Sequence, residues 1–351
     1  MDTSGLESFA QNLRTDLLNG VRQRLRYWGF KEDGTVEEAP EEVEGGYVFR
    51  GEVHDDPGVP KKWRALKNAI NRHDLDHVAE EAAYTWFNRL VAIRILEKNG
   101  HMTDVLGYAD GTEQPAVLYR AKDGVIDVPG EDGTQDVRDA ILGSDDDRAF
   151  RQLLIGVCHD SDLLNDVFGR LNDFTELLLP TGLLQPDGVI EELVTTGAIS
   201  EEDYEQVELI GWLYQFYISE KKDEVYDSSG KFEPEEIPAA TQIFTPRWIV
   251  RYMVENTIGR QWLDKYPDSG LREEMEYLVE QEDYEPQDPI FDDLSELELF
   301  DPAAGSGHIL VVGFDLLMEM YRDRGYTDRE AVEQILTENL KGLEIDRRAA
   351  Q

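Results

Sequence analysis

Residues 300–310, Phe-Asp-Pro-Ala-Ala-Gly-Ser-Gly-His-Ile-Leu, constrain the fold of this 351-residue chain more than any other stretch. They read as a strand that delivers an acid, Asp301, then a turn of small residues, then a helix. Gly305 and Gly307 let backbone come close to a ligand and let the helix pack tightly on its strand. A dinucleotide fingerprint would need a third glycine where Leu310 stands, and a phosphate-cradling P-loop would need Gly-Lys-Ser/Thr, which does not follow. The loop carries its own carboxylate instead, which suits a ligand with an amino group better than one with a pyrophosphate. Downstream, Gly342-Leu343-Glu344-Ile345-Asp346 reads as a second strand ending in acids. A carboxylate in that position of a nucleotide-binding unit can accept from two vicinal ribose hydroxyls. A small molecule with an amino-acid moiety and a ribose but no phosphate is S-adenosylmethionine. The competing reading is an ordinary tight strand-to-helix turn with solvated acids.

Upstream, hydrophobic spacing predicts mostly helix. Leu6, Phe9, Leu13, Leu17, Val21 and Leu25 predict one helix over 3–29, and a second runs over 76–99 to a stop at Gly100. Further helical pattern covers 147–172, 174–179, 189–197 and 202–218. Residues 46–51, 117–120 (VLYR) and 124–128 (GVIDV) read as strand-like pieces. A polar Pro/Gly stretch at 227–240 reads as a linker. Beyond it come a helix from Pro246, an acidic insertion at 264–295, a strand at 296–300 and a helix over 307–321. Thr327 and Glu330 form a capping box that opens a helix to about 340, followed by a strand at 342–345. The expected organisation is an α-rich domain (1–226), a linker (227–240) and the incomplete start of an α/β doubly wound fold (241–351). With only two strands to cover it, the helix bearing Ile309, Leu310, Val312, Phe314, Leu317 and Met318 is expected to leave some of these exposed.

Charge limits what composition can say. Asp and Glu number 75 against 34 Lys and Arg, a net charge of −41, and only 11 of the cations are Lys. Such a surface fits a salt-saturated cytoplasm, where a Debye length of about 3 Å or less leaves like charges little range; a specialised acidic protein is the alternative. The single cysteine, Cys158, excludes an internal disulfide framework. No run approaches 18 apolar residues and the N-terminus lacks a signal's apolar core, so the expectation is a cytoplasmic, soluble protein with no membrane partner.

DPAAGSGHIL resembles the cofactor-binding first motif of the methyltransferases acting on adenine N6 in DNA, and GLEID resembles their ribose-binding second motif. IFTPRWIVRYMV is similar to the segment that precedes the fold in this group, whose Phe/Tyr-Thr-Pro lies against the methionine part of the cofactor. The order of the three is that of the gamma type. AYTWFNRLVAIRILEKNGH and LIGWLYQFYISEKKDEVY are similar to the N-terminal region of the large phage-exclusion methyltransferases (the PglX type) and their restriction–modification relatives. The resemblance implies that 241–351 is the incomplete start of an S-adenosylmethionine-dependent methyltransferase fold, with S-adenosylmethionine as cofactor held by Phe244, Thr245, Pro246, Asp301, Ala303, Gly305, Gly307, Glu344 and Asp346. It implies double-stranded DNA as partner of the complete enzyme, alongside other phage-defence subunits. The catalytic Asn/Asp-Pro-Pro-Tyr/Phe motif of that chemistry is missing, since none of the 14 prolines is followed by another. The expectation is an N-terminal fragment that holds part of a cofactor site, has no catalytic residue and is inactive alone. The alternatives are a non-catalytic scaffold subunit of the same descent and a combined nuclease–methyltransferase.

Residues 57–73 contain no acid and carry Lys61, Lys62, Arg64, Lys67 and Arg72; residues 17–31 likewise carry Arg22, Arg24, Arg26 and Lys31. These islands are candidates for phosphate contacts to DNA, against a plainer reading as partners for the surrounding carboxylates. Three further patterns favour structural roles: Pro186-Asp187 with Glu220-Lys221-Lys222 as a loose nuclease pattern, His73 and His77 as metal ligands, and Cys158-His159-Asp160 as a nucleophile cluster. No metal is expected.

Overall fold

The computed structural model describes residues 3–54, 56–126, 131–171, 173–227, 231, 237–280, 284–346 and 349–350. The chain divides into two compact units, Met1–Glu205 and Gln206–Gln351.

The first unit is built around two long helices, α1 (Thr3–Tyr27) and α3 (Leu75–Lys98). Leu6, Phe9, Leu13, Leu17, Val21 and Leu25 fall on one face of α1 and are buried, as their three- and four-residue spacing requires. Between the two helices lie a three-stranded antiparallel meander, β1 (Glu41–Val43), β2 (Gly46–Phe49) and β3 (Glu52–His54), and helix α2 (Val59–His73). The strand expected at 46–51 is thus the centre of that meander and ends at Phe49. Asp74 caps α3 by accepting from the His77 amide at 2.8 Å. Buried indoles are satisfied by backbone: Trp28 Nε1 donates to the Leu177 carbonyl, Trp63 Nε1 to Trp28 and Trp86 Nε1 to Thr175. Helices α4 (Ala116–Lys122), α5 (Glu131–Leu142), α6 (Asp146–Asp160), α7 (Asp162–Phe168) and α8 (Val189–Thr195) complete the unit.

Residues 117–120, expected as strand, lie in α4. Its Val117, Leu118 and Ala121 are buried, a three-four spacing that a short apolar run can hide. The strand-like piece at 124–128 falls partly outside the described residues, as do 228–230 and 232–236 of the linker stretch. The division between units falls at Glu205, ahead of α9 (Glu208–Tyr217) and α10 (Ser219–Asp227), because these helices pack with the chain that follows. Phe244 lies so close over Gly211 of α9 that a Cβ there would sit 2.0 Å from its ring. Lys222 of α10 donates to the Gln242 carbonyl at 2.8 Å.

In the second unit, α11 (Ile237–Thr241) leads into an extended segment and then α12 (Arg247–Val254), which continues through a π turn (Glu255–Gly259) into α13 (Arg260–Lys265). Strand β4 (Leu299–Asp301) is followed by α14 (His308–Asp323), α15 (Asp328–Gln334), a π turn (Ile335–Asn339) and β5 (Leu340–Gly342). The two strands pair in parallel, Asp301 opposite Gly342. The Thr327–Glu330 capping box opens α15. Gly313 brings α14 onto its strand, where a Cβ would sit 2.2 Å from the Leu299 side chain. Asn339, fully buried, accepts from the Tyr321 hydroxyl at 2.9 Å and donates to the carbonyls of Leu294 and Leu297. It anchors the approach to β5.

The first strand expected at 296–300 is shifted: 294–296 form a 3₁₀ turn and pairing begins at Leu299. The second pairs at 340–342, not 342–345, leaving Leu343 and Ile345 63% and 79% exposed. Exposed apolar area therefore falls on Phe300 of β4 and on Leu343 and Ile345 beyond β5. Of the α14 residues some of which were expected to be exposed, Val312, Leu317 and Met318 are buried and Ile309, Leu310 and Phe314 are half-buried.

Candidate cofactor-binding site

The C-terminal ends of β4 and β5 and the segment before α12 enclose a cleft of about 320 Å³ within the second unit. Ligands of parallel sheets sit in this crevice outside the strands' carboxyl ends. Phe244, Thr245, Asp301, Ala303, Gly305 and Glu344 all line it.

Local geometry explains the turn. Gly305 and Gly307 have φ of +56° and +81°, left-handed values that other residues rarely adopt. The Gly307 amide closes the turn on the Ala304 carbonyl at 2.8 Å, and α14 starts at the next residue. Beyond the paired strands, Leu343 donates to the Asp301 carbonyl and Ala304 to the Leu343 carbonyl, each at 2.9 Å, so the ladder runs on into the turn.

The acids are placed with it. Asp301, 7% exposed, accepts the Ala303 amide on Oδ1 at 3.0 Å, while its buried Oδ2 has no hydrogen-bond partner among the described residues. Glu344 accepts the Gly305 amide on Oε2 at 2.7 Å and the Asp346 amide on Oε1 at 2.8 Å. It thereby ties the strand end to the glycine turn.

Three of the nine expected contacts shape the cleft without lining it. Pro246 caps α12, its fixed φ of −55° suiting a helix start. Gly307 precedes α14. Asp346 is buried and turned toward α9, accepting from the Tyr214 hydroxyl. The wall opposite the glycine turn is the 241–245 segment, which α9 supports from behind. The Phe244 amide donates to Gln215 Oε1 at 2.7 Å, the Arg247 amide to Glu208 Oε1 at 3.1 Å, and Trp212 packs on Phe244.

Sequence reasoning missed His308, which lines the cleft, stacks on Phe244 at 4.7 Å between ring centres and approaches the Thr245 carbonyl through Nδ1 at 3.1 Å. Burial, with Arg247 in support and Glu208 opposing, pushes its pKa below the usual imidazole value. Its place directly after the glycine turn was the available signal.

The basic islands belong to the first unit, and most of their cations are paired there. Lys62 meets Glu176 at 2.6 Å, Arg64 meets Glu42, Arg22 meets Asp76 and Arg26 meets Glu32. Lys67 lies over the Trp63 ring at 5.9 Å. Lys61 and Arg72 are exposed and have no ion pair among the described residues. Cys158 is buried and its thiol is pushed up to about 11 by that burial, which leaves little thiolate for nucleophilic attack. No group of three or more metal-capable side chains occurs among the described residues, and His73 and His77 stack on each other at 5.0 Å. Asp187 belongs to the first unit and Glu220 to the second, and the Lys221 side chain is outside the described residues. No helix among the described residues is long and apolar enough to cross a membrane.

No family model matches the chain. Over its whole length it is 39% identical to the adenine-specific methyltransferase BrxX of Escherichia coli O9:H4 (strain HS) and 33% identical to the adenine-specific methyltransferase PglX of Lacticaseibacillus casei (strain Zhang). Adenine-specific methyltransferases of the PglX type are its homologues. The chain spans 30% of the length of BrxX and 32% of that of PglX. The PglX-type similarity takes in both units, the glycine turn as well as the helices of the first.

Proposed function

We propose that this chain supplies the S-adenosylmethionine-binding portion of a site-specific DNA adenine-N6 methyltransferase acting in phage defence or restriction–modification, and that its second unit is the start of the doubly wound methyltransferase fold. The observation that carries this reading is the cleft itself, where a glycine turn, a buried aspartate with an unpartnered oxygen and a strand-end glutamate meet. A buried acceptor calls for a donor. An ammonium brings three, which fits the amino-acid end of the cofactor to Asp301 Oδ2. Each Glu344 oxygen already accepts one backbone N–H, yet a carboxylate has about four lone-pair sites, leaving room for ribose hydroxyls. Phe244 and Thr245 close the site from the other wall and keep water from it. Bound there, S-adenosylmethionine supplies an electrophilic methyl group on a sulfonium. Double-stranded DNA is the proposed partner, with Lys61 and Arg72 of α2 as phosphate contacts; Lys62, Arg64 and Lys67 are engaged within the chain.

Titration of the full-length protein with S-adenosylmethionine tests the site. Gly305→Val, which forces a β-branched residue into a left-handed backbone, and Glu344→Ala should each weaken binding about ten- to a hundredfold. Unchanged affinity in both variants would sink the assignment. Transfer of label from S-adenosylmethionine to adenine-containing duplexes separates the enzyme from a scaffold subunit of the same descent.

A further inference from the structure

The cleft holds a second buried acceptor. His308 is 6% exposed, and its Nδ1 faces the Thr245 carbonyl at 3.1 Å. A carbonyl oxygen only accepts, so Nδ1 carries the proton and a neutral ring leaves Nε2 as an acceptor. That Nε2 is buried with no hydrogen-bond partner among the described residues, like Asp301 Oδ2 in the same cleft. A protonated ring would strand an N–H⁺ there, while a neutral ring asks the ligand for a donor. The face of the ring is occupied as well, stacked on Phe244 with 13° between planes. Glu208 and Arg247 are the charged groups that act on it from α9 and α12.

We propose that His308 is the specificity-determining residue of the cleft. Nδ1 pins the Phe244–Thr245 segment to the start of α14, and Nε2 accepts an N–H from the amino-acid end of the ligand beside Asp301. The site then selects the amino-acid-bearing thionucleoside over the thionucleoside alone. This rests on reading the cleft as an S-adenosylmethionine site. It goes further in assigning the discrimination to a neutral histidine.

Two probes isolate it, S-adenosylmethionine and 5′-methylthioadenosine, which keeps the nucleoside and sulfur but lacks the amino-acid end. In the full-length protein, His308→Asn keeps a donor for Thr245 and loses Nε2, while His308→Phe keeps the stack and loses both polar atoms. In each variant the Kd for S-adenosylmethionine should rise about tenfold or more while that for 5′-methylthioadenosine stays within about twofold. Thermal unfolding identifies any variant that fails to fold, and His308→Asn, the smaller change to the Thr245 contact, carries the test on its own. Equal weakening of both ligands would reduce His308 to a packing residue and overturn the proposal, as would unchanged affinity. A wild-type protein that binds neither ligand would sink the cofactor reading itself. Wild-type binding with an unaffected His308→Asn sinks only the role given to His308.

Discussion

Glu176 shows how much a single side chain decides in the first unit. It is 8% exposed, takes the Lys62 ammonium on one oxygen at 2.6 Å and meets His159 Nε2 with the other at 3.2 Å. Burial opposes its ionisation, but hydrogen bonds from His159 and Lys62 outweigh that and hold its carboxyl below the usual range. A depressed folded-state value stabilises the fold above the unfolded value of about 4.3, and that contribution is lost as pH falls through the folded one. Glu176→Gln should therefore cost about 1–3 kcal/mol at pH 7. In chemical denaturation the gap to wild type should shrink as pH falls below the usual carboxylate range; a gap that does not shrink in acid would refute the ion-pair account. Lys62 is accordingly a stability residue before it is anything else. The glycine turn and its acids were legible from sequence because left-handed backbone at 305 and 307 restricts those positions to few residue types and because each acid stands at or just beyond a strand's end. His308 was not, because one histidine after a glycine turn carries no period, and its orphaned nitrogen exists only once Phe244 and Thr245 are folded against it.

Among the elements, α9 is the one whose role sequence patterning could not show. Its pattern at 202–218 reads as part of the first domain, because the polar stretch after it looks like a natural boundary. What assigns it is a close approach: Gly211 gives Phe244 the space its ring fills. Gly211→Ala should push that ring toward the cleft, lowering stability by about 1–3 kcal/mol. It should also weaken S-adenosylmethionine binding, although Gly211 does not line the cleft. Calorimetric titration beside a melting curve checks both, and intact affinity at lowered stability would show that Phe244 relaxes away from the ligand. Long helices with a full apolar period, such as α1 and α3, were legible, as was the capping box of α15. Short elements without such a mark were harder to read. Val117, Leu118 and Ala121 fit a strand or a helix until their partners are known. The apolar run at 342–345 drew attention past the residues that pair, since register depends on Leu299 lying opposite Leu340 and on Asn339 holding the backbone ahead of them.

For the molecule as a whole, a net charge of −41 means self-repulsion that dilute buffer does not screen. Raising KCl from about 0.1 M, where the Debye length is about 10 Å, to the molar range, where it is about 3 Å, should raise the thermal midpoint continuously. A midpoint that falls with salt would mean that the exposed ion pairs, such as Arg64 with Glu42, matter more than the excess of carboxylate. The parallel pairing of β4 with β5 bears on when the molecule acquires its cleft. Gly305 and Glu344, joined by a hydrogen bond, stand 39 residues apart along the chain, with α14 and α15 between them. Contacts of that separation form only after the intervening loop has been closed at an entropic cost, so they lag the local helices. On a ribosome, the glycine turn emerges well before the carboxylate that secures it, and during that interval the nascent chain has a helical first unit but an open, unsecured turn. The cleft takes its shape only on a chain already synthesised past Glu344.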